Sequence, residues 1–301
     1  MSAVAADGVQ PVYPEHLRAQ VERYLQGVRF SAEPACGGLQ EAMRYSLLAG
    51  GKRVRPVLAL ATAEAIGRPA ASMLPLAGAL ELIHTYSLIH DDLPAMDDDD
   101  YRRGRPTCHR AFGEAVAILA GDGLYAEAFR LLLSEQEAEP ADLLAAAREL
   151  AVATGVQGMV GGQYMDVAGT AAQDSAGLRH LHELKTGRLI AASIECALLL
   201  GGVREPGTIN SFRAFASELG VLFQIVDDIL DVTGSVQTLG KQQGSDERLG
   251  KRTYVSEFSL DGARKLAGEC HQRARAALAQ AAPTGGGELQ QITDFIARRS
   301  Y

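Results

Sequence analysis

Apolar residues recur along this chain at three- and four-residue intervals almost from end to end. Residues 1–13 read as a flexible tail, after which Leu17, Val21, Tyr24, Leu25 and Val28 share one face of a helix. Gly37-Gly38 opens a second unit, Leu39 to Leu48, which ends at Gly50-Gly51. Pro56 suits the first turn of the next helix, Val57 to Ile66. Ser72 is placed to cap a helix from Leu74 to about Asp92, with Pro75 inside its first turn. That helix is apolar on nearly every face, which marks it as central and buried. Further helical spacing covers about Phe112 to Leu133, Pro140 through Met159 and Tyr164, Ala176–Gly201 and Ile209–Val232. The polar, glycine-rich Gly234–Thr253 predicts a mobile loop, and Leu260–Ala281 and Glu288–Arg299 close the chain as helices. No strand-like alternation, Asn-Gly hairpin or internal repeat is visible. The expectation is an all-α chain, residues 1–301 in one domain, with about ten or more helices around a central one.

Composition narrows the partners. With 301 residues, 47% of them apolar, a sizeable core is available. A net charge of -8 argues against a nucleic-acid surface. Cys36, Cys108, Cys196 and Cys270 are scattered without a CxxC pair, which suits a reducing cytoplasm and neither disulfides nor a zinc site. No basic-then-apolar leader stands at the N-terminus. No stretch of about 20 residues is both apolar and uncharged, so no stable membrane insertion is expected.

Charge patterning carries the chemistry. Asp91-Asp92-Leu93-Pro94-Ala95-Met96-Asp97 ends the central apolar helix, and Asp227-Asp228-Ile229-Leu230-Asp231 ends a later one. Two carboxylates about 4 Å apart repel by roughly 4 kcal/mol at an effective dielectric of about 20, so such clusters need cations. Residues three and four apart share a helix face, so Asp227, Asp228 and Asp231 converge, and a kink at Pro94 can return Asp97 towards Asp91. All-carboxylate sets select hard cations, and Mg²⁺ is commonly completed by substrate phosphates. Asp98–Asp100 read as outer or solvated charges. Lys52, Arg55, Arg102, Arg103, Lys185, Lys241 and Lys251 all lie near glycines or helix ends and suit phosphate binding. Carboxylates, Mg²⁺ and cationic side chains together imply a diphosphate.

These residues fall into motifs that resemble one family. Gly50-Gly51-Lys52-Arg53-Val54-Arg55-Pro56, the DDxxxxD at Asp91, Gly161-Gly162-Gln163, Lys185-Thr186-Gly187, and the DDxxD at Asp227 with Gly240-Lys241 after it resemble the trans-isoprenyl diphosphate synthases. The bacterial farnesyl diphosphate synthases (geranyltranstransferases) are the most similar, and the resemblance runs from about Leu39 to Arg299. It implies an isoprenoid synthase-type helical bundle around a cavity, acting as a homodimer. It further implies three Mg²⁺ ions, with Mn²⁺ as an alternative, on Asp91, Asp97 and Asp227, supported by Asp92, Asp228 and Asp231. Arg102, Lys185 and Lys241 would hold the allylic diphosphate. Lys52, Arg55, His84 and Arg103 would hold isopentenyl diphosphate, with Lys251 closing over the site. The Lys185 carbonyl, Thr186 and Gln224 would shield the allylic cation, and the released diphosphate would take the proton. The glycines at 161 and 162 would allow close helix packing, and His90 reads as a core histidine.

Product length needs a wall. Each isoprene unit adds five carbons, roughly 4 kcal/mol of favourable burial at about 0.8 kcal/mol per CH₂. Growth therefore stops only where the cavity does. Tyr86 lies about 7.5 Å along the helix before Asp91, with Ser87 one turn below Asp91. In the resembling enzymes an aromatic there goes with a C15 product. A geranylgeranyl or geranyl diphosphate synthase, and a non-catalytic partner subunit, remain the alternatives. A di-iron bundle would need Glu-x-x-His pairs, which His180, His182 and Glu183 do not form.

Overall fold

The computed structural model describes residues 12–234 and 251–299. Within them the chain is helical almost throughout: α1 (Glu15–Gly27), α2 (Gly37–Leu47), α3 (Val54–Ala65), α4 (Leu74–Asp91), α5 (Cys108–Phe112), α6 (Glu114–Glu135), α7 (Pro140–Thr154), α8 (Met159–Val167), α9 (Ser175–His182), α10 (Arg188–Leu200), α11 (Pro206–Thr233), α12 (Tyr254–Ala281) and α13 (Gly287–Arg298). The all-α expectation holds. So does the place of the central helix: α4 packs on α3 and α6 and touches α1, α2 and α10. Leu76, Leu80, Leu82 and Ile83 on it are wholly buried, each contributing about 1.5–3 kcal/mol. On the far side α11 packs along α12, where Ala263, Ala267 and Ala274 recur at helical spacing and let the two helices approach closely.

Local chemistry departs from the sequence expectation in several places. Ser72 does not cap α4; its hydroxyl donates to the Pro69 carbonyl. The orphan N–H of Leu76 is instead met by the Gln136 amide oxygen at 3.2 Å, from a residue remote in sequence. Tyr13 is no part of a loose tail: it is buried, its hydroxyl donates to the Lys52 carbonyl at 2.8 Å, and its ring packs on Phe295. A short hairpin, β1 (Tyr101–Arg102) with β2 (Arg105–Pro106), stands where no strand was expected. Its turn, Arg103-Gly104, holds φ at +53° and +71°. That is the two-residue geometry that favours Asn-Gly, and an arginine disguises it.

Long helical patterns are also interrupted. Gly113 (φ +84°) separates α5 from α6, and Gly155–Gly158 separates α7 from α8. Pro140–Val167 contains a window of mean hydropathy 1.2, enough by length and composition alone to span a membrane, but Asp142, Arg148, Glu149 and Asp166 punctuate the segment. The break between α7 and α8 divides it. The predicted helix Ala176–Gly201 contains a π-helical turn, Glu183–Gly187, between α9 and α10. The residues after it are mostly apolar, with charges only at Arg188 and Glu195, so an extra residue in the turn leaves little mark on the pattern. Helix α12 starts at Tyr254, earlier than its apolar spacing indicates, behind a capping box of Thr253 and Ser256, and kinks at Ser259 (φ +66°).

Candidate active site

The C-terminal half of α4, helix α8, the π-turn and α11 surround a cavity of about 830 Å³. Asp91, Asp97, Asp227 and Asp228 all line it, so the two acidic clusters face one space. The return of the chain after Pro94 is as expected, and the Asp97 N–H donates to the Asp91 carbonyl at 2.8 Å. Burial, with Asp97 adding to it and Lys185 opposing it, raises the Asp91 carboxyl to about 6. Asp227 is the exposed member of its cluster, its side chain 57% accessible. Asp228 is buried and committed: Oδ1 accepts from Gln224 at 2.7 Å, and Oδ2 accepts from the Tyr254 backbone N–H at 2.7 Å. Asp92 and Asp231 are buried and do not line the cavity. Asp92 is held by Arg102, with Nε 2.8 and 3.0 Å from its two oxygens.

The cations stand against this wall. Lys251 Nζ donates to Asp97 at 2.9 Å and Lys185 Nζ to Asp166 at 2.5 Å. Arg55, His84, Arg102 and Arg103 line the same cavity. Arg55 has a buried Nε with no partner, and burial lowers its guanidinium to about 10. His84 is neutral, its pKa driven well below the usual range by burial and then by Arg55 and Arg103. Lys52 is not brought to the cavity; its ammonium lies 5.1 Å from the centre of the Phe295 ring. Lys241 lies outside the described residues. Thr186 donates to the Gln224 oxygen at 2.8 Å, so Thr186, Gln224 and Asp228 form one hydrogen-bonded row along the cavity.

The apolar arm runs beside α4. Tyr86 and Ser87 line it, and the Ser87 hydroxyl donates to the His84 carbonyl. The Tyr86 ring meets Tyr125 edge-on at 5.0 Å, and Tyr125 in turn meets Phe129 at 5.4 Å. Of these three rings only Tyr86 lines the cavity. The His90 Nε2–H donates to the Ile118 carbonyl, 3.1 Å away; its side chain is partly exposed and lines the cavity, so it is not the core histidine expected.

Several residues at the site escape sequence reasoning. Gln163 donates to Asp91 at 2.8 Å, and Asp166, one turn on, pairs with Lys185. Their spacing of three on α8 is the signal that would have revealed them. Arg299 lies 4.2 Å over the Phe223 ring and 3.9 Å from Asp227; nothing in its local sequence singles it out. His182 lines the cavity, with no hydrogen-bond partner at either ring nitrogen among the described residues.

The family model for polyprenyl synthetase matches residues 37–284. The chain belongs to the polyprenyl synthetase family. Among curated relatives, farnesyl diphosphate synthase of Geobacillus stearothermophilus is 43% identical over 285 residues, covering 93% of each chain. Geranylgeranyl pyrophosphate synthase 9 of Arabidopsis thaliana is 44% identical, over 87% of this chain and 74% of that one. A solved geranyltransferase from Helicobacter pylori, complexed with magnesium and isoprenyl diphosphate, superposes with a TM-score of 0.84 at 30% identity, covering 93% of this chain and 95% of that one. The family expected from the motifs is therefore correct, and this polyprenyl synthetase is a prenyltransferase.

One of the motif glycines has a definite task in this polyprenyl synthetase. A Cβ at Gly162 would run into the backbone N and Cα of Lys185, so only glycine lets α8 press against the π-turn. Gly162→Val should push Lys185 and Thr186 out of place. Turnover is expected to fall about 100-fold, the scale of a misplacement near 1 Å. Steady-state kinetics on folded variant would check this, and unchanged turnover would mean the close approach is dispensable.

Proposed function

We propose that this polyprenyl synthetase condenses isopentenyl diphosphate head-to-tail with dimethylallyl or geranyl diphosphate, giving farnesyl diphosphate. The observation that supports this reading is the shared cavity, lined by Asp91, Asp97 and Asp227, by Lys185, Lys251 and Arg102, and by Tyr86. The donor set fits Mg²⁺. The three carboxylates are hard oxygen donors, and in this structure lysines supply the neutralising charge at Asp97 and at Asp166. Asp91, Asp97 and Asp227 would hold the metal, with Asp92, Asp228 and Asp231 fixing helix ends and side chains behind them. Bound there, Mg²⁺ neutralises the leaving diphosphate and eases scission of its C–O bond.

The remaining work falls to side chains. Lys185 and Lys251, once their carboxylates are otherwise neutralised, are free to turn to the allylic diphosphate. Arg55, His84 and Arg103 hold isopentenyl diphosphate on the opposite side. The Thr186 hydroxyl donates to Gln224, which leaves its oxygen lone pairs to stabilise the allylic cation. The double bond of isopentenyl diphosphate attacks that cation, and the released diphosphate accepts the proton as the new double bond forms. Exposed Leu119 and Leu133 on α6 support a homodimer, and the unpaired cysteines support a cytoplasmic enzyme.

The test is a product assay with Mg²⁺, isopentenyl diphosphate and dimethylallyl diphosphate, resolving prenols by length. A dominant C15 alcohol that vanishes with EDTA is expected. Folded protein that makes no product would refute prenyl transfer. The 44% identity to a geranylgeranyl pyrophosphate synthase favours C20 as the second reading. Tyr86→Ala decides between floor and filler. Opening the floor admits one more unit, worth roughly 4 kcal/mol of burial, so C20 should overtake C15. An unchanged C15 profile would remove Tyr86 as the floor.

A further inference from the structure

His182 ends α9 and is only 9% exposed. Its ring lines the catalytic cavity, yet among the described residues neither Nδ1 nor Nε2 has a hydrogen-bond partner. A neutral imidazole carries one donor and one acceptor, and leaving both unmet in a buried place is costly. A phenylalanine would fill the space without that cost. The ring also stacks on Tyr254, with centroids 5.5 Å apart and planes 27° apart. Tyr254 begins α12, and its N–H is the one bonded to Asp228. The charges acting on the ring are, in order, those of Lys185, Asp166, Asp227 and Arg252. All four residues line the same cavity.

We propose that His182 donates a hydrogen bond to the bound allylic diphosphate, its other nitrogen accepting from water in the cavity, and that its stack on Tyr254 holds the start of α12 for that contact. The inference rests on the prenyl-transfer reading of the cavity. Lysine and arginine there can only donate as full charges. A neutral imidazole supplies a directional donor without adding repulsion to Lys185, and burial keeps it neutral by holding its pKa at about 4. Its place at the entry to the π-turn sets it beside Lys185, three residues on.

The test compares His182→Phe, which keeps ring and stack, with His182→Gln, which keeps a donor and an acceptor. Inorganic pyrophosphate is titrated into the full-length protein by calorimetry, with and without Mg²⁺. The Phe variant is expected to bind pyrophosphate at least tenfold more weakly, with Gln recovering most of the loss. Its ligand-free melting temperature should be unchanged or higher, which a merely structural role would not give. In turnover, KM for the allylic diphosphate should rise while KM for isopentenyl diphosphate stays constant; a rise in the second alone would place the contact wrongly. Wild-type pyrophosphate affinity in the Phe variant would overturn the proposal. Should that variant fail to fold, nitrogen-15 histidine spectra of the wild type decide: the His182 ring signals must move on adding pyrophosphate, and stationary signals refute the contact. A wild type that binds pyrophosphate but makes no prenol would sink the prenyl-transfer reading while leaving the pyrophosphate contact measurable.

Discussion

Asp91→Asn is expected to abolish turnover and, at neutral pH, to make the ligand-free protein more stable. Burial raises the Asp91 carboxyl from an ordinary 3.8 to about 6. Its ionised form is therefore disfavoured in the fold. The contribution to stability is fully present below pH 3.8 and is lost as pH rises through about 6. Wild type and Asn variant should melt together near pH 4. At pH 7.5 the variant should be the more stable, by roughly 1–3 kcal/mol, the upper figure being the full pKa difference. Asparagine can still accept the hydrogen bond from Gln163, so local geometry survives. What is lost is a charge placed for the transition state, and turnover should fall by about 10³-fold or more. Mg²⁺ with pyrophosphate should raise the melting temperature of the wild type far more than that of the variant. Thermal melts across pH decide it: a variant less stable than wild type at pH 7.5 would contradict the strain assigned to Asp91.

That strain explains why the acidic clusters were legible at all. Carboxylates at the end of an apolar helix violate the local pattern, and such violations mark function. The same logic reads Pro94, because a break in an otherwise perfect helix re-aims Asp97. Helix existence was legible wherever one face was apolar, as in α11, whose buried Phe212, Phe215, Leu219 and Leu222 keep the period. What was hidden had a common cause: it depends on partners far away in sequence. Ser72 looked like the cap of α4, but Gln136 takes that task across the fold. Lys52 looked like its motif partner Arg55, yet only Arg55 turns inward. The π-turn at Lys185 was hidden by the dense apolar sequence after it. In sequence Gln163 stands out only through the glycines before it, whereas in the fold its amide bonds Asp91. Asp92 and Asp228 looked identical to Asp91 and Asp227. Only the structure shows that Arg102 occupies Asp92 away from the cavity, and that Gln224 and Tyr254 occupy Asp228 within its wall.

Arg53→Met should cause the largest loss of stability of any change near the site. Arg53 sits among the phosphate-motif residues, and its side chain does not touch the cavity; it is completely buried. Its Nη1 donates to Glu81 of α4 at 2.6 Å, its Nε to Glu22 of α1 at 2.9 Å, and its Nη2 to the Leu47 carbonyl at the end of α2 at 2.8 Å. The backbone at Arg53 is left-handed (φ +53°) at the entry to α3, so one residue ties four helices together. Removing the guanidinium leaves the Glu81 carboxylate buried, its side chain 2% exposed, without its cation. Breaking a buried pair from one side costs about 3–5 kcal/mol. Lysine should recover little, because one ammonium cannot serve three diverging acceptors. Removing both charges is a different matter, since an apolar pair of similar volume avoids the desolvation cost. Arg53→Met combined with Glu81→Leu should therefore be clearly more stable than Arg53→Met alone. Urea unfolding of the two single variants and the double measures this. Additive losses would mean that Arg53 acts through its backbone or through Glu22, whereas recovery in the double variant isolates the cost of stranding Glu81 inside the bundle.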